Sequence, residues 1–234
     1  MTFDAKDTLI FTSTPNISYE CDACEDSGYV FDMETRQLMP CHCAAQRRAA
    51  ELERWKAQQR LELRKTISQR IDLDKTRLPG FPLPQGGAWL YGRAGAGKTH
   101  LAAYMLMRFI ELAREKVSWC FHPVRALLDA WVRQYSDDGE MRSQAIGFLS
   151  RLASCRVVVI DDIDKISRIT PAREEGFYTL FDTLHSRGAT LVVTSQVSID
   201  DFCKRMPSEA EYMKRDGVGP QQRRLRELCR EVRL

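Results

Sequence analysis

Hydrophobic and polar positions divide the chain into three stretches with different periods. From Ala88 onward, short apolar runs alternate with helical stretches. The strand candidates are 88–91, 117–121, 156–160 and 190–194, and the helical candidates lie at about 98–115, 123–135, 141–153 and 172–186. Strands and helices alternating at these lengths predict an α/β fold with a parallel sheet covered by helices on both faces. Before this region, residues 44–71 contain no Gly or Pro and are rich in Ala, Arg, Glu, Gln, Leu and Lys. They read as one long helix. Its apolar positions Leu52, Trp55, Leu63, Ile67 and Ile71 recur at helical spacing, but Gln59 interrupts them. So narrow a stripe suggests an interaction arm more than a packed core helix. Residues 78–87 hold three prolines and three glycines and read as a linker. In the first stretch, residues 28–31 and 37–40 predict two short strands around a turn at 33–36.

The expected organisation is therefore a small module at 1–43, a basic helical arm and linker at 44–77, and an α/β domain at 78–234. Charge follows the same divisions. Residues 1–43 carry two basic and eight acidic side chains, 44–70 carry eight and three, 71–203 carry sixteen of each, and 204–234 carry nine and five. Two basic segments flanking a neutral body suit contact with nucleic acid or an acidic protein, and equally suit charged helices that keep the chain in solution. The longest aliphatic run, Val157–Ile160, is far below the roughly 20 residues that span a bilayer. The first residues carry acids where a signal peptide has basic ones. The expectation is a cytoplasmic protein with no membrane partner.

Chemistry enters with Gly92-Arg-Ala-Gly-Ala-Gly-Lys-Thr99, which fits G-x-x-x-x-G-K-[ST] between a predicted strand and a predicted helix. Gly92, Gly95, Ala96 and Gly97 would let backbone N–H groups face phosphate oxygens. Lys98 would reach the β- and γ-phosphates of ATP, and the Thr99 hydroxyl would help hold Mg²⁺. The apolar strand Val157-Val-Val-Ile ends in Asp161 and Asp162. Asp161 is expected to position Mg²⁺ through water, and Asp162 to polarise the attacking water in place of the commoner Glu. Gln196, ending the run Thr190-Leu-Val-Val-Thr-Ser-Gln, is a candidate to orient the same water. Arg224 lies in the basic helix predicted over 221–230, where an arginine finger, DNA contacts and a solvated face are all open readings.

Eight cysteines without a secretory signal argue against a disulfide framework. Cys21, Cys24, Cys41 and Cys43 form two close pairs whose spacing suits tetrahedral Zn²⁺. Metal would supply stability that so short a segment lacks. His42 is an alternative ligand to Cys43, and a redox C-x-x-C is the competing reading. Cys155 is expected to be a small buried apolar residue, and the other three scattered cysteines are assigned no role.

Taken together, residues 92–102, Val159-Ile-Asp-Asp-Ile163, Thr194-Ser-Gln196 and Arg223-Arg-Leu225 resemble the DnaC/DnaI-type replicative helicase loaders among the AAA+ ATPases. The N-terminal cysteine pairs resemble the zinc module of some members, including phage-encoded ones. The resemblance implies a P-loop AAA+ core preceded by a zinc module. It implies an assembly-dependent ATPase that binds a hexameric replicative helicase and helps place it on single-stranded DNA, with self-association through the ATPase domain; Asp162, one methylene shorter than Glu, suggests either a tighter pocket or slow turnover. By position Gln196 matches the family's sensor 1 residue and Arg224 its arginine finger. Sensor 1 is usually Asn in that family, and Asp164 stands where the family has Gly. The short segment before the first strand leaves the adenine pocket in question, and nothing after Arg224 forms a lid. Three other readings stand beside this one: an IstB-like transposition helper, a nucleotide-switched adaptor with little turnover, and a DNA-binding zinc protein with a vestigial ATPase.

Overall fold

The computed structural model describes residues 20–67, 71, 86–166 and 168–234. Of the segment 78–87 read as a linker, residues 78–85 lie outside them, and with these most of the segment bearing on the adenine pocket. The chain divides into two compact units, 1–53 and 54–234.

In the first unit, β1 (Tyr29–Asp32) and β2 (Gln37–Pro40) form an antiparallel hairpin, with Tyr29 opposite Pro40 and Phe31 opposite Leu38. Arg36, at φ 53, turns the chain between them. Helix α1 (His42–Thr66) follows, and the division between units falls within it.

The second unit contains β3 (Gly87–Tyr91), α2 (Lys98–Leu112), β4 (Trp119–Pro123), α3 (Val124–Arg133), α4 (Gly139–Ser154), β5 (Val157–Asp161) and α5 (Pro171–Ser186). These are followed by β6 (Thr190–Ser195), α6 (Ile199–Cys203), α7 (Pro207–Asp216), α8 (Pro220–Leu228) and β7 (Cys229–Arg233). The five strands pair in parallel in the order β4-β5-β6-β3-β7. The four strands and four helices expected from 88 to 194 are all present, with ends moved by up to three residues.

Alternation along each strand divides the core into two layers. Trp89, Val158, Ile160, Leu191 and Val193 face one side, with Phe177, Phe181, Phe202 and Leu225 of the helices. Ala88, Leu90, Val157, Val159 and Val192 face the other, with Leu101, Met105 and Ile110 of α2. Leu63 and Ile67 join this second layer, and Leu63 is completely buried. The Nε1–H of Trp119 donates to Gln59 Oε1 at 2.9 Å, so the residue that interrupts the apolar stripe is itself a packing contact. This half of the helix is a packed element, not a free arm. A narrow stripe is enough because Leu63 and Ile67 join an apolar layer that the strands and α2 already form.

The C-terminal region departs most from expectation. The basic helix ends at Leu228, and residues 229–233 form the edge strand β7. Cys229-Arg-Glu-Val-Arg carries too few apolar residues to read as a strand. It becomes one because β3 has an open edge with which it pairs over five residues.

Candidate nucleotide site and cysteine cluster

The phosphate loop follows β3, where the sheet's C-terminal edge opens. Gly97 takes φ 84, a left-handed conformation that a side chain would strain, and forms the N-cap of α2. No side chain caps that helix, so its first N–H groups and its dipole are free to meet an anion. Lys98 is buried, and its ammonium donates to Gly92 O and Arg93 O at 2.9 Å each. The lysine thus lies against the loop's own first carbonyls.

The Thr99 hydroxyl donates to Asp161 Oδ1 at 2.9 Å. Cis ligands of an octahedral Mg²⁺ with bonds of 2.0–2.1 Å also lie about 2.9 Å apart, so these two oxygens can hold such an ion. Burial raises the Asp161 pKa above the usual carboxylate range, although hydrogen bonds from Thr194 and Thr99 act against it. A bound cation would favour the ionised form that burial disfavours.

Thr194 went unnoticed as a site residue in the sequence. Its hydroxyl donates to Asp161 Oδ1 at 2.6 Å and accepts the Asp162 N–H at 2.8 Å. Thr194 is one of three hydroxyl residues in β6, with Thr190 and Ser195, and its meaning depends on the register that sets β5 beside β6. Asp162 takes φ 57 and binds Lys165 Nζ through Oδ2 at 2.5 Å. That hydrogen bond raises the Lys165 pKa and occupies one oxygen of the proposed water-polarising group.

Gln196 lies just past the end of β6 with its side chain exposed. Its N–H donates to Asp164 Oδ1 at 2.9 Å, and the Asp164 carbonyl accepts from Arg205 at 3.1 Å. Asp164 therefore serves the turn as an acceptor, and the left-handed residue is Asp162. Arg224 is apart from this group. It sits on α8, bound to Asp182 Oδ1 and Glu227 Oε2 at 2.9 Å each and to His185 Nδ1 at 2.9 Å. The structure thus brings together Lys98, Thr99, Asp161, Asp162 and the backbone of Gln196, and leaves Arg224 outside.

This arrangement agrees with the sequence relationships. The profile of the family described as "IstB-like ATP binding protein" matches residues 42–211. The chain belongs to that family. It is an ATP-binding ATPase of that IstB-like family. Residues along 108 positions are 30% identical to the chromosomal replication initiator protein DnaA of Bacteroides thetaiotaomicron, covering 46% of this chain and 21% of that protein. The chain thus matches about a fifth of the length of that relative. Among solved structures, a DNA replication initiation factor superposes with a TM-score of 0.51 at 14% identity, covering 72% of this chain and 50% of that one. The likeness is one of fold. The DnaC helicase loader superposes with a TM-score of 0.47 at 17% identity, covering 71% of this chain and 97% of the loader.

The first unit holds a separate site. The ligand atoms of Cys21, Cys24, Cys41 and Cys43 all lie within 4.8 Å of one another, and all four residues are buried. Cys21 and Cys41 Sγ are 3.7 Å apart, and Cys24 and Cys43 Sγ are 3.3 Å apart. Tetrahedral Zn²⁺ with Zn–S bonds of about 2.3 Å requires S···S separations near 3.8 Å, so the cluster fits the ion after small shifts of the thiols. Burial raises the Cys24 pKa, but hydrogen bonds from Cys43 and the Gly28 backbone outweigh it and lower it to about 7. His42 is exposed, with Nδ1 3.5 Å from Cys41 Sγ, beside the four-thiol set and not within it. Cys155 is buried as expected. Among the described residues, no helix is long and apolar enough to cross a membrane.

Proposed function

We propose that this ATPase is a loader that binds a hexameric replicative helicase and helps place it on single-stranded DNA. The observation that carries the reading is the pairing of two sites in one chain. One is a nucleotide site in which Lys98 lies on the phosphate loop and Thr99 bonds Asp161, and the other is a four-cysteine site in a separate compact unit. The DnaA relative, a replication initiator by its name, supports a role in initiation.

In this reading ATP binds along the loop from Gly92 to Thr99, through Gly95, Ala96 and Gly97. Mg²⁺ is held by Thr99 and Asp161, and would supply charge neutralisation on the transferred phosphoryl. Asp162 polarises the attacking water, and Gln196 orients it. Asp162 gives up Lys165 to do so, which makes turnover slow. Arg224 acts on a neighbouring copy's nucleotide, so hydrolysis depends on self-association. Cys21, Cys24, Cys41 and Cys43 hold Zn²⁺ and order the unit that docks on the helicase.

The test is reconstitution with purified replicative helicase, Mg²⁺-ATP and single-stranded DNA circles. A stable complex and ATP-dependent transfer of helicase to the circle are expected. The loader reading is overturned by the absence of both. The family's own description favours a second reading, an IstB-like transposition helper. Co-purification with a recombinase in place of the helicase would establish it.

A further inference from the structure

Gln196 stands where strand pairing gives out. On one side of β6 the register with β3 stops at Ser195 opposite Tyr91. On the other side the register with β5 stops earlier, at Val193 opposite Ile160. Contacts from outside the ladder hold the chain here instead. The Val197 N–H donates to Ser195 Oγ at 3.0 Å, and the Val197 carbonyl accepts the Nε1–H of Trp89 at 2.8 Å. Ser195 and Trp89 are completely buried, so the core fixes the chain at Val197. At Gln196 itself the fixing group is a carboxylate, because its N–H donates to Asp164 Oδ1 at 2.9 Å. A hydrogen bond to an ionised acceptor is stronger than one between neutral groups.

Asp164 is itself held firmly. It lies in the turn after β5, which closes with the Lys165 N–H on the Asp162 carbonyl at 3.0 Å. Ile163, completely buried, anchors that turn and donates its N–H to the Thr194 carbonyl at 3.0 Å. The Arg205 guanidinium donates to the Asp164 carbonyl at 3.1 Å. Arg205 is exposed, but Phe202 and Met206 on either side of it are completely buried, and its N–H donates to the Phe202 carbonyl at 3.0 Å. A line of contacts thus runs from the end of α6 through Arg205 and Asp164 to the backbone of Gln196. It joins the loop that carries Asp162 to the residue that follows β6.

We propose that Asp164 is a positioning residue for ATP hydrolysis: it fixes the backbone of Gln196, and so the reach of that side chain towards the water that Asp162 polarises. Arg205 supports it by fixing the turn. This rests on the reading in which Gln196 orients the water, and adds to it a carboxylate that acts only through Gln196. A side chain aimed from its own backbone loses its aim when that backbone moves, and a displacement of about 1 Å can cost on the order of 10²-fold in rate.

The experiment is steady-state ATP hydrolysis by the full chain, with kcat and KM read separately, together with equilibrium titration of ATP. The proteins are the wild type, Asp164→Ala, Asp164→Asn, Arg205→Ala, Gln196→Ala and the double variant Asp164→Ala/Gln196→Ala. Asp164→Ala is expected to lower kcat roughly tenfold while KM and ATP affinity stay as in the wild type. Asp164→Asn keeps the acceptor oxygen and should retain most of the wild-type kcat. Arg205→Ala should lower kcat by a smaller factor, again with KM unchanged. The double variant should be no slower than Gln196→Ala, because Asp164 has nothing left to position. Losses that multiply in the double variant would mean that Asp164 acts independently of Gln196. A loss of ATP affinity in step with kcat would mean a merely structural role, and wild-type kcat in both Asp164→Ala and Arg205→Ala would mean no role. Each of these overturns the inference and leaves the role of Gln196 standing. Wild-type turnover in Gln196→Ala overturns that role and the inference together.

Discussion

The Thr194 hydroxyl is shared between two neighbouring carboxylate residues, donating to Asp161 Oδ1 at 2.6 Å and accepting the backbone N–H of Asp162 at 2.8 Å. It couples β6, which Gln196 follows, to β5, which ends in Asp161. Thr194→Val keeps the shape but removes both hydrogen bonds. The expected cost is about 1–3 kcal/mol of stability, because an acceptor and a donor lose their partner. Turnover should fall roughly tenfold or more, because the two aspartates are no longer held in place. Denaturant titration and steady-state ATP hydrolysis check the two effects separately.

Asp161 trades stability for function. Burial raises its pKa in the folded state, so the folded chain resists ionising it. Stability from this group is full below the ordinary carboxylate pKa and is lost as pH rises through the raised value. Asp161→Asn keeps an acceptor for Thr99 and Thr194 but carries no charge. The variant should melt above the wild type at neutral pH and match it in acid, while losing ATP hydrolysis. Thermal melts from pH 3 to 8 read this directly, and a variant less stable at neutral pH would contradict it.

Cys21, Cys24, Cys41 and Cys43 should bind one Zn²⁺ per chain, measurable by metal analysis. Chelation should unfold the 20–53 segment and leave the ATPase unit's thermal transition in place, since metal affinity is folding energy for such a module. Simultaneous loss of both transitions would contradict the division into two units.

Leu63 is completely buried in the core of the ATPase unit. Leu63→Ala should cost about 2–5 kcal/mol. A fragment starting at residue 54 should therefore melt well above one starting at residue 78, which lacks Leu63 and Ile67. Calorimetry on the two fragments decides it.

Arg224 is held by Asp182 and Glu227 at the surface. Removing such pairs changes stability by less than about 1 kcal/mol. Arg224→Ala should keep the fold and bind ATP normally, yet lose roughly 10³-fold of any assembly-dependent hydrolysis. Mixing it with Asp162→Asn protein should restore part of the activity if the arginine acts on a neighbouring copy. A lack of rescue at every ratio argues against that role.

Local pattern was sufficient to locate the phosphate loop, the aspartates at the end of β5, the cysteine pairs and the strands and helices from 88 to 194. Each depends on spacing within a few residues, on a period of two or 3.6, or on glycines needed where backbone meets phosphate. Other features depended on which strand lies beside which. Thr194 reaches Asp161 only because β6 is registered against β5, and residues 229–233 become a strand only because the edge of β3 is open to receive them. The burial of Leu63 and the contact of Asp164 with the Gln196 backbone belong to the same class. Register and edge pairing are agreements between segments far apart in the chain, and neither segment encodes them alone.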